Sequence, residues 1–290
     1  MIVPLLTAPL PGRRRAFAMR LAINGIQLNV ETYGVGSPLL LLHGFTGSAA
    51  TWEPFFASWG RHFHLLAVDV IGHGRSDAPR DAARYDMDLA AADLVAVLDH
   101  FGYSRAHVLG YSMGGRLALT FAVRYPQRVQ ALLLEGSSPG LAAAAEREAR
   151  FQRDDRLAAS IERDGIEAFV DRWESLPLFR SQQRLPEAVR ARLREQRLQN
   201  DVIGLAGSLR GMGTGAQRPL WEELPQLQMP LKCVVGALDD KFRLIAAEIA
   251  ARVLGAEVEV VAEAGHTVHV EQPSIFDTIV LDFFREVEKK

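Results

Sequence analysis

Cysteine is nearly missing from this chain. Cys233 is the only one in 290 residues, so no internal disulfide can form, and a reducing compartment suits the sequence. It lies in the apolar run Leu231 to Val235, which reads as a buried strand rather than a reactive site. No apolar run reaches the roughly 18 residues that suggest a membrane span. The net charge of −2 leaves no global basic field to hold nucleic acid. His62, His64, His100 and His107 lack the spacing of metal ligands. The expectations are therefore no metal, no cofactor, no nucleic-acid partner and no membrane span. A cytoplasmic protein is expected, and a monomer. A secretory signal is not expected either, because Arg13, Arg14 and Arg15 follow the apolar stretch Ile2 to Leu10 instead of preceding it. Residues 1–20 read as a disordered extension, with Met19 as an alternative start.

What is present is an alternation of apolar runs and helical periodicity. Leu21 to Tyr33 alternates around Asn24-Gly25, a hairpin signal. Leu39 to Leu42 is a continuous apolar run, suited to a strand buried on both faces. Trp52 to Trp59 and Leu89 to Phe101 read as helices, and Phe63 to Val70 and Val129 to Leu134 as strands. Alternation of this kind marks a parallel sheet with helices on both faces, an α/β fold. From Gly140 the composition shifts to Arg, Glu, Ala and Leu, without a convincing strand. Residues 140–215 read as a helical lid insert, broken near Gly165, Pro177, Pro186 and Gly211 to Gly215. The core comprises residues 21–139 and 216–290. Its second part holds the strands Leu231 to Val235 and Glu257 to Val261, a helix Phe242 to Leu254, and a last helix from Pro273. Trp52, Trp59 and Trp221 read as packing residues.

The chemistry gathers at Gly110-Tyr111-Ser112-Met113-Gly114, set between a strand and a helix. G-x-S-x-G in that context is a nucleophile elbow: a sharp bend pushes the serine hydroxyl out of the sheet, and glycines leave room for the bend. A serine hydroxyl needs a histidine to take its proton and a carboxylate to orient that histidine. Asp239 follows the strand Leu231 to Val235, and His266 follows Glu257 to Val261, so all three lie at one sheet edge. Asp240 and Glu135 remain alternatives for the acid. His269 remains an alternative for the base, although it reads better as a capping or packing residue. The backbone N–H groups of Met113 and Phe45 are the expected oxyanion donors. His43 and His73 read as supports of their loops.

Four stretches resemble α/β-hydrolases: HGFTGS (His43 to Ser48), DVIGHGRSD (Asp69 to Asp77), GYSMGGR (Gly110 to Arg116) and AGH (Ala264 to His266). EGSSPGL (Glu135 to Leu141), FVDRWESLPLF (Phe169 to Phe179), SLRGMGTGAQ (Ser208 to Gln217) and DDKF (Asp239 to Phe242) are similar to the 2-succinyl-6-hydroxy-2,4-cyclohexadiene-1-carboxylate synthase family. This resemblance runs from about Leu21 to the C-terminus. It implies a lyase of menaquinone biosynthesis that eliminates pyruvate from a small polycarboxylate. It also implies Ser112, Asp239 and His266 as the triad, and Tyr111, Arg116, Arg150, Trp173 and Arg197 as pocket residues. Arg147 and Arg153 lie close to Arg150 on the same expected helix, so spacing alone does not separate the three. A pocket of arginines suits carboxylates, which they bind in bidentate fashion. The competing readings are a serine hydrolase of C–C or ester bonds in small aromatic-derived acids, and a non-catalytic receptor. Dehalogenases and epoxide hydrolases would need aspartate at position 112.

Overall fold

The computed structural model describes residues 17–289. The chain opens with the hairpin β1 (Phe17–Ile23) and β2 (Ile26–Tyr33), turned at Asn24-Gly25. Both turn residues have positive φ, 47° and 86°, as a type I′ turn requires. The hairpin corrects the expected extension over residues 1–20. Residues 17–20 pair along β2, Met19 opposite Val30, and the alternation that buries Leu21 and Ile23 reaches back to the half-buried Met19. Residues 1–16 of that expectation lie outside the described residues.

Next come β3 (Ser37–Leu42), β4 (Phe63–Val68), β5 (Ala106–Tyr111), β6 (Val129–Glu135), β7 (Leu231–Gly236) and β8 (Glu257–Val261). The sheet order is β1-β2-β4-β3-β5-β6-β7-β8. β2 is antiparallel to both its neighbours, and β4 through β8 run parallel. The four leucines of β3 explain its unbroken apolar run, since each is fully buried. Leu39 and Leu41 enter a core with α1 (Glu53–Trp59) and α9 (Pro273–Glu288). Leu40 and Leu42 enter the opposite core with α2 (Met87–His100), α3 (Met113–Arg124) and α7 (Asp240–Ala250). Trp52 and Trp59 are buried packing residues, and Trp221 packs beside the second core. Cys233 is buried in β7, and burial pushes its thiol up to about 12.

Between β6 and β7 lie α4 (Ala144–Glu174), α5 (Glu187–Leu198) and α6 (Val202–Met212). The backbone leaves helical angles at Gly165, Pro177 opens a turn of 3-10 helix, and Pro186 precedes α5. Ala158, Ile161, Phe169 and Val170 of α4 pack on Leu205, Ala206 and Leu209 of α6. This layer has its own small core, and Phe45 of the loop after β3 packs against it. The chain thus sets three helices over the C-terminal edge of the parallel strands. A short helix that the sequence reading did not anticipate, α8 (Val268–Glu271), follows the His266 loop. No helix among the described residues is long and apolar enough to cross a membrane.

Candidate active site

Ser112 stands at the bend between β5 and α3 with φ 51° and ψ −107°, a strained conformation for a residue with a Cβ. The bend is tight because Gly114 lies against β3. A Cβ there would sit 2.3 Å from the Leu42 carbonyl oxygen. The strain is held by the sheet: the Ser112 N–H donates to the Glu135 carbonyl at 2.8 Å. Met113 opens α3, so its N–H belongs to the first turn, whose donors have no partner within the helix. The loop carrying Phe45 runs alongside, since a Cβ on Gly44 would lie 3.5 Å from the Ser112 Cβ.

Asp239 caps α7, accepting from the Phe242 N–H at 3.3 Å through Oδ1. Its other oxygen, Oδ2, meets His266 Nδ1 at 2.8 Å. Two loops must converge for this contact, and Gly236 permits it. A Cβ at Gly236 would stand 2.1 Å from the Gly265 carbonyl oxygen. His266 Nε2 lies 3.0 Å from Ser112 Oγ. With Nδ1–H donating to the carboxylate, Nε2 is the acceptor that faces the serine hydroxyl. Asp239 and His266 are both buried, and the Phe242 ring packs on His266 with centroids 4.6 Å apart.

The rival residues are occupied elsewhere. Asp240 points into solvent, its side chain 89% exposed, and pairs with Arg243. Glu135 and His269 pair with each other. The Glu135 carboxylate accepts from the His269 N–H at 3.0 Å and from ring Nδ1 at 2.9 Å. His269 packs as expected, although its main partner is this buried carboxylate at the end of β6. Its ring also meets Tyr111, with centroids 4.7 Å apart.

Ser112 opens into a chamber of about 180 Å³. Tyr111, Arg116, Arg150 and Trp173 all line it, together with Phe45 and Met113. Arg116 lies one helical turn after Ser112 and donates to the Met212 carbonyl at 2.8 Å and to Gln217 at 3.0 Å. Burial, reinforced by Arg150, lowers its guanidinium to about 10, which leaves it charged at neutral pH. Arg150 pairs with Asp154 at 2.8 Å. Arg147 turns instead to the Leu141 and Ala142 carbonyls, and Arg153 is exposed, so of the three neighbouring arginines only Arg150 reaches the chamber.

Arg197 is the one expected pocket residue that does not join Ser112. It binds Glu174 at 2.9 Å and Gln182 at 3.1 Å, and its guanidinium carbon lies 5.4 Å from the Phe179 centroid. It lines an adjoining, mostly apolar cavity of about 340 Å³, which shares Phe45, Tyr111 and Phe179 with the Ser112 chamber. Lys241 does line the Ser112 chamber. It lies within DDKF, where spacing alone does not distinguish it from a solvated lysine. Its signal was its place at the start of a helix, two residues after Asp239. Among the described residues no group of histidines, cysteines and carboxylates could hold a metal ion.

His43 and His73 support the loops, as expected. His43 Nδ1–H donates to the Gly44 carbonyl at 2.7 Å, and Nε2 accepts from the Val70 N–H at 3.0 Å. Burial lowers His43 to about 4 and His73 to about 3, with His43 adding to the shift of His73. Both rings stay neutral in the fold while the unfolded chain protonates them near pH 6.5. Folded pKa values lie below unfolded ones, so stability is full above pH 6.5 and falls as acid is added. Each histidine contributes a slope of up to ~1.4 kcal/mol per pH unit between 6.5 and its folded value. Urea midpoints measured from pH 7.5 to 4.5 should fall steeply, and His73→Leu should flatten the curve by about one proton. An unchanged slope in that variant would refute the assignment.

A family model described as the alpha/beta hydrolase fold matches residues 37–273. A Bacillus subtilis (strain 168) protein, provisionally named 2-succinyl-6-hydroxy-2,4-cyclohexadiene-1-carboxylate synthase, is 45% identical over 91% of this chain and 97% of its own length. The protein of that name from Serratia proteamaculans (strain 568) is 32% identical over 84% of this chain and 92% of its own. The solved structure of MenH from S. aureus superposes with a TM-score of 0.84 at 34% identity, covering 87% of this chain and 94% of that one. The chain belongs to the α/β-hydrolase family and, within it, to the 2-succinyl-6-hydroxy-2,4-cyclohexadiene-1-carboxylate synthases.

Proposed function

We propose that this protein eliminates pyruvate from 2-succinyl-5-enolpyruvyl-6-hydroxy-3-cyclohexene-1-carboxylate, giving 2-succinyl-6-hydroxy-2,4-cyclohexadiene-1-carboxylate in menaquinone biosynthesis. The observation that carries this reading is the hydrogen-bonded line from Asp239 through His266 to Ser112, which ends in a chamber lined by the cations Arg116, Arg150 and Lys241. Triad and cations together suit proton abstraction from an anionic substrate. A simple ester would need the first and not the second.

The ring carbon bearing the succinyl carbonyl holds the acidic hydrogen. Ser112 Oγ, made basic by His266, takes that proton, and Asp239 steadies the imidazolium that forms. Charge passes to the succinyl carbonyl oxygen, where the N–H groups of Phe45 and Met113 are the donors. The ring double bond shifts, the bond to the enolpyruvyl oxygen breaks with its electron pair, and the enolate gains a proton to become pyruvate. Arg116 and Arg150 hold carboxylates, and Tyr111 and Trp173 shape the chamber. Arg197 flanks the substrate from the adjoining cavity. The helices α4 to α6, within residues 140–215, act as a lid over the Ser112 chamber.

An assay of pyruvate release from this substrate tests the reading. Because elimination leaves nothing bonded to Ser112, intact-mass spectra during turnover should show no adduct, and no burst should precede steady state. An acyl-enzyme formed from the same substrate, without pyruvate, would establish the serine-hydrolase alternative instead.

A further inference from the structure

Lys241 is the cation that neither the triad nor the arginines absorb. It is the second residue of α7, directly after the Asp239-Asp240 pair. It shares the chamber with Ser112, Arg116, Arg150 and His266. Its ammonium lies 5.2 Å from the centroid of Phe242, the ring that packs on His266. Arg150 and Arg197 each have a carboxylate partner, whereas Lys241 pairs with none among the described residues. Its charged neighbours are Arg150 and Asp239, and Asp239 is already committed to His266. Partial desolvation at the chamber rim first, and the charge of Arg150 second, pull the ammonium below the ordinary lysine range. Lys241 is solvent-exposed at the rim of the chamber, and a cation beside a second cation without a carboxylate partner leaves room for an arriving carboxylate or enolate to supply the anion.

The type of residue narrows the role. A guanidinium fork matches a carboxylate whose charge is the same before and after the reaction. An ammonium is a compact charge with freely turning donors, better suited to a single oxygen on which charge builds. In the elimination that oxygen is the one leaving with the enolpyruvyl group. We propose that Lys241 is a catalytic residue that pairs with the departing enolpyruvyl group, its ammonium meeting the oxygen that takes the electron pair of the broken bond. The proposal rests on the pyruvate-eliminating reading of the site. It adds no reactant: the proton leaves the ring to Ser112 and His266, the electron pair leaves with the enolate, and solvent protonates that enolate to pyruvate.

The test compares the full-length wild type with Lys241→Met and Lys241→Arg. The assay is pyruvate release, with labelling of Ser112 by a small neutral fluorophosphonate alongside. Lys241→Met should lower kcat roughly 10- to 100-fold with a smaller change in KM, because the interaction grows as charge develops. Lys241→Arg should recover most of that loss. Labelling depends on Ser112 and His266 and not on a leaving enolate, so both variants should stay within about twofold of wild type. A kcat near wild type in Lys241→Met overturns the proposal. So does a parallel fall in kcat and labelling, which would make Lys241 a support for His266 through Phe242. A wild-type protein that labels normally yet releases no pyruvate would sink the functional reading itself, an outcome distinct from either.

Discussion

Replacing Ser112 by alanine should cut pyruvate release on the order of 10²-fold or more, and His266→Ala should do the same. The two losses should be similar and should not multiply in the double variant, since the serine oxygen is basic only while His266 Nε2 accepts its proton. The 3.0 Å contact between them is the physical basis of that expectation. Neither change should unfold the protein. Ser112→Ala removes one oxygen and relieves no packing, and the strained φ of 51° is held by the Ser112 backbone bond to Glu135, which alanine keeps. Steady-state rates and thermal melts of both variants, measured together, check this. Near-wild-type turnover in either would remove the triad from the mechanism, whereas a large drop in melting temperature would turn the result into one about folding.

The parts of the site that local backbone chemistry dictates were legible in the sequence. Gly110 and Gly114 around Ser112 announce a bend that few other residues permit, and a Cβ at Gly114 would indeed meet the Leu42 carbonyl. Asp239 and His266 were found because strand ends in a parallel sheet converge on one edge. Side-chain direction within the helical layer was less accessible. Spacing placed Arg116 one turn from Ser112, but it could not tell that Arg197 would turn to Glu174 and Gln182. That choice depends on how α5 packs against α4, a contact between residues remote in sequence. Lys241 is illegible for the opposite reason: a lone lysine at a helix start reads as solvated, and only the approach of α4 with Arg150 brings it to the chamber. Two of the three alternatives, Glu135 and His269, satisfy each other. Periodicity carries no information on such a pairing across the sheet.

Asp239→Asn is the sharper test, because it keeps volume and shape while changing only where a proton sits. The wild-type carboxylate accepts on both oxygens, from His266 Nδ1 at 2.8 Å and from the Phe242 N–H at 3.3 Å. Asparagine has one oxygen for two donors. With its oxygen on Phe242, its amide hydrogens face His266 Nδ1 and push the ring proton to Nε2, where it blocks transfer from Ser112. With its oxygen on His266, the ring keeps its tautomer, but a neutral carbonyl now faces the imidazolium. The loss of a charge-assisted bond then costs about 1.5–3 kcal/mol at the transition state. Loss of the α7 cap adds about 1 kcal/mol of instability in that orientation. Either orientation lowers kcat, and the expected fall is on the order of 10²-fold or more, with a melting temperature within a few degrees of wild type. Asp240→Asn is the paired control. Its carboxylate is solvent-exposed and bound to Arg243 on the surface, an interaction worth under about 1 kcal/mol, so turnover should not change. Reversal of the two results would move the acid by one residue. A large loss in Glu135→Gln with Asp239→Asn unaffected would move it to the end of β6, and the hydrogen bonds that His269 donates to Glu135 argue against that outcome.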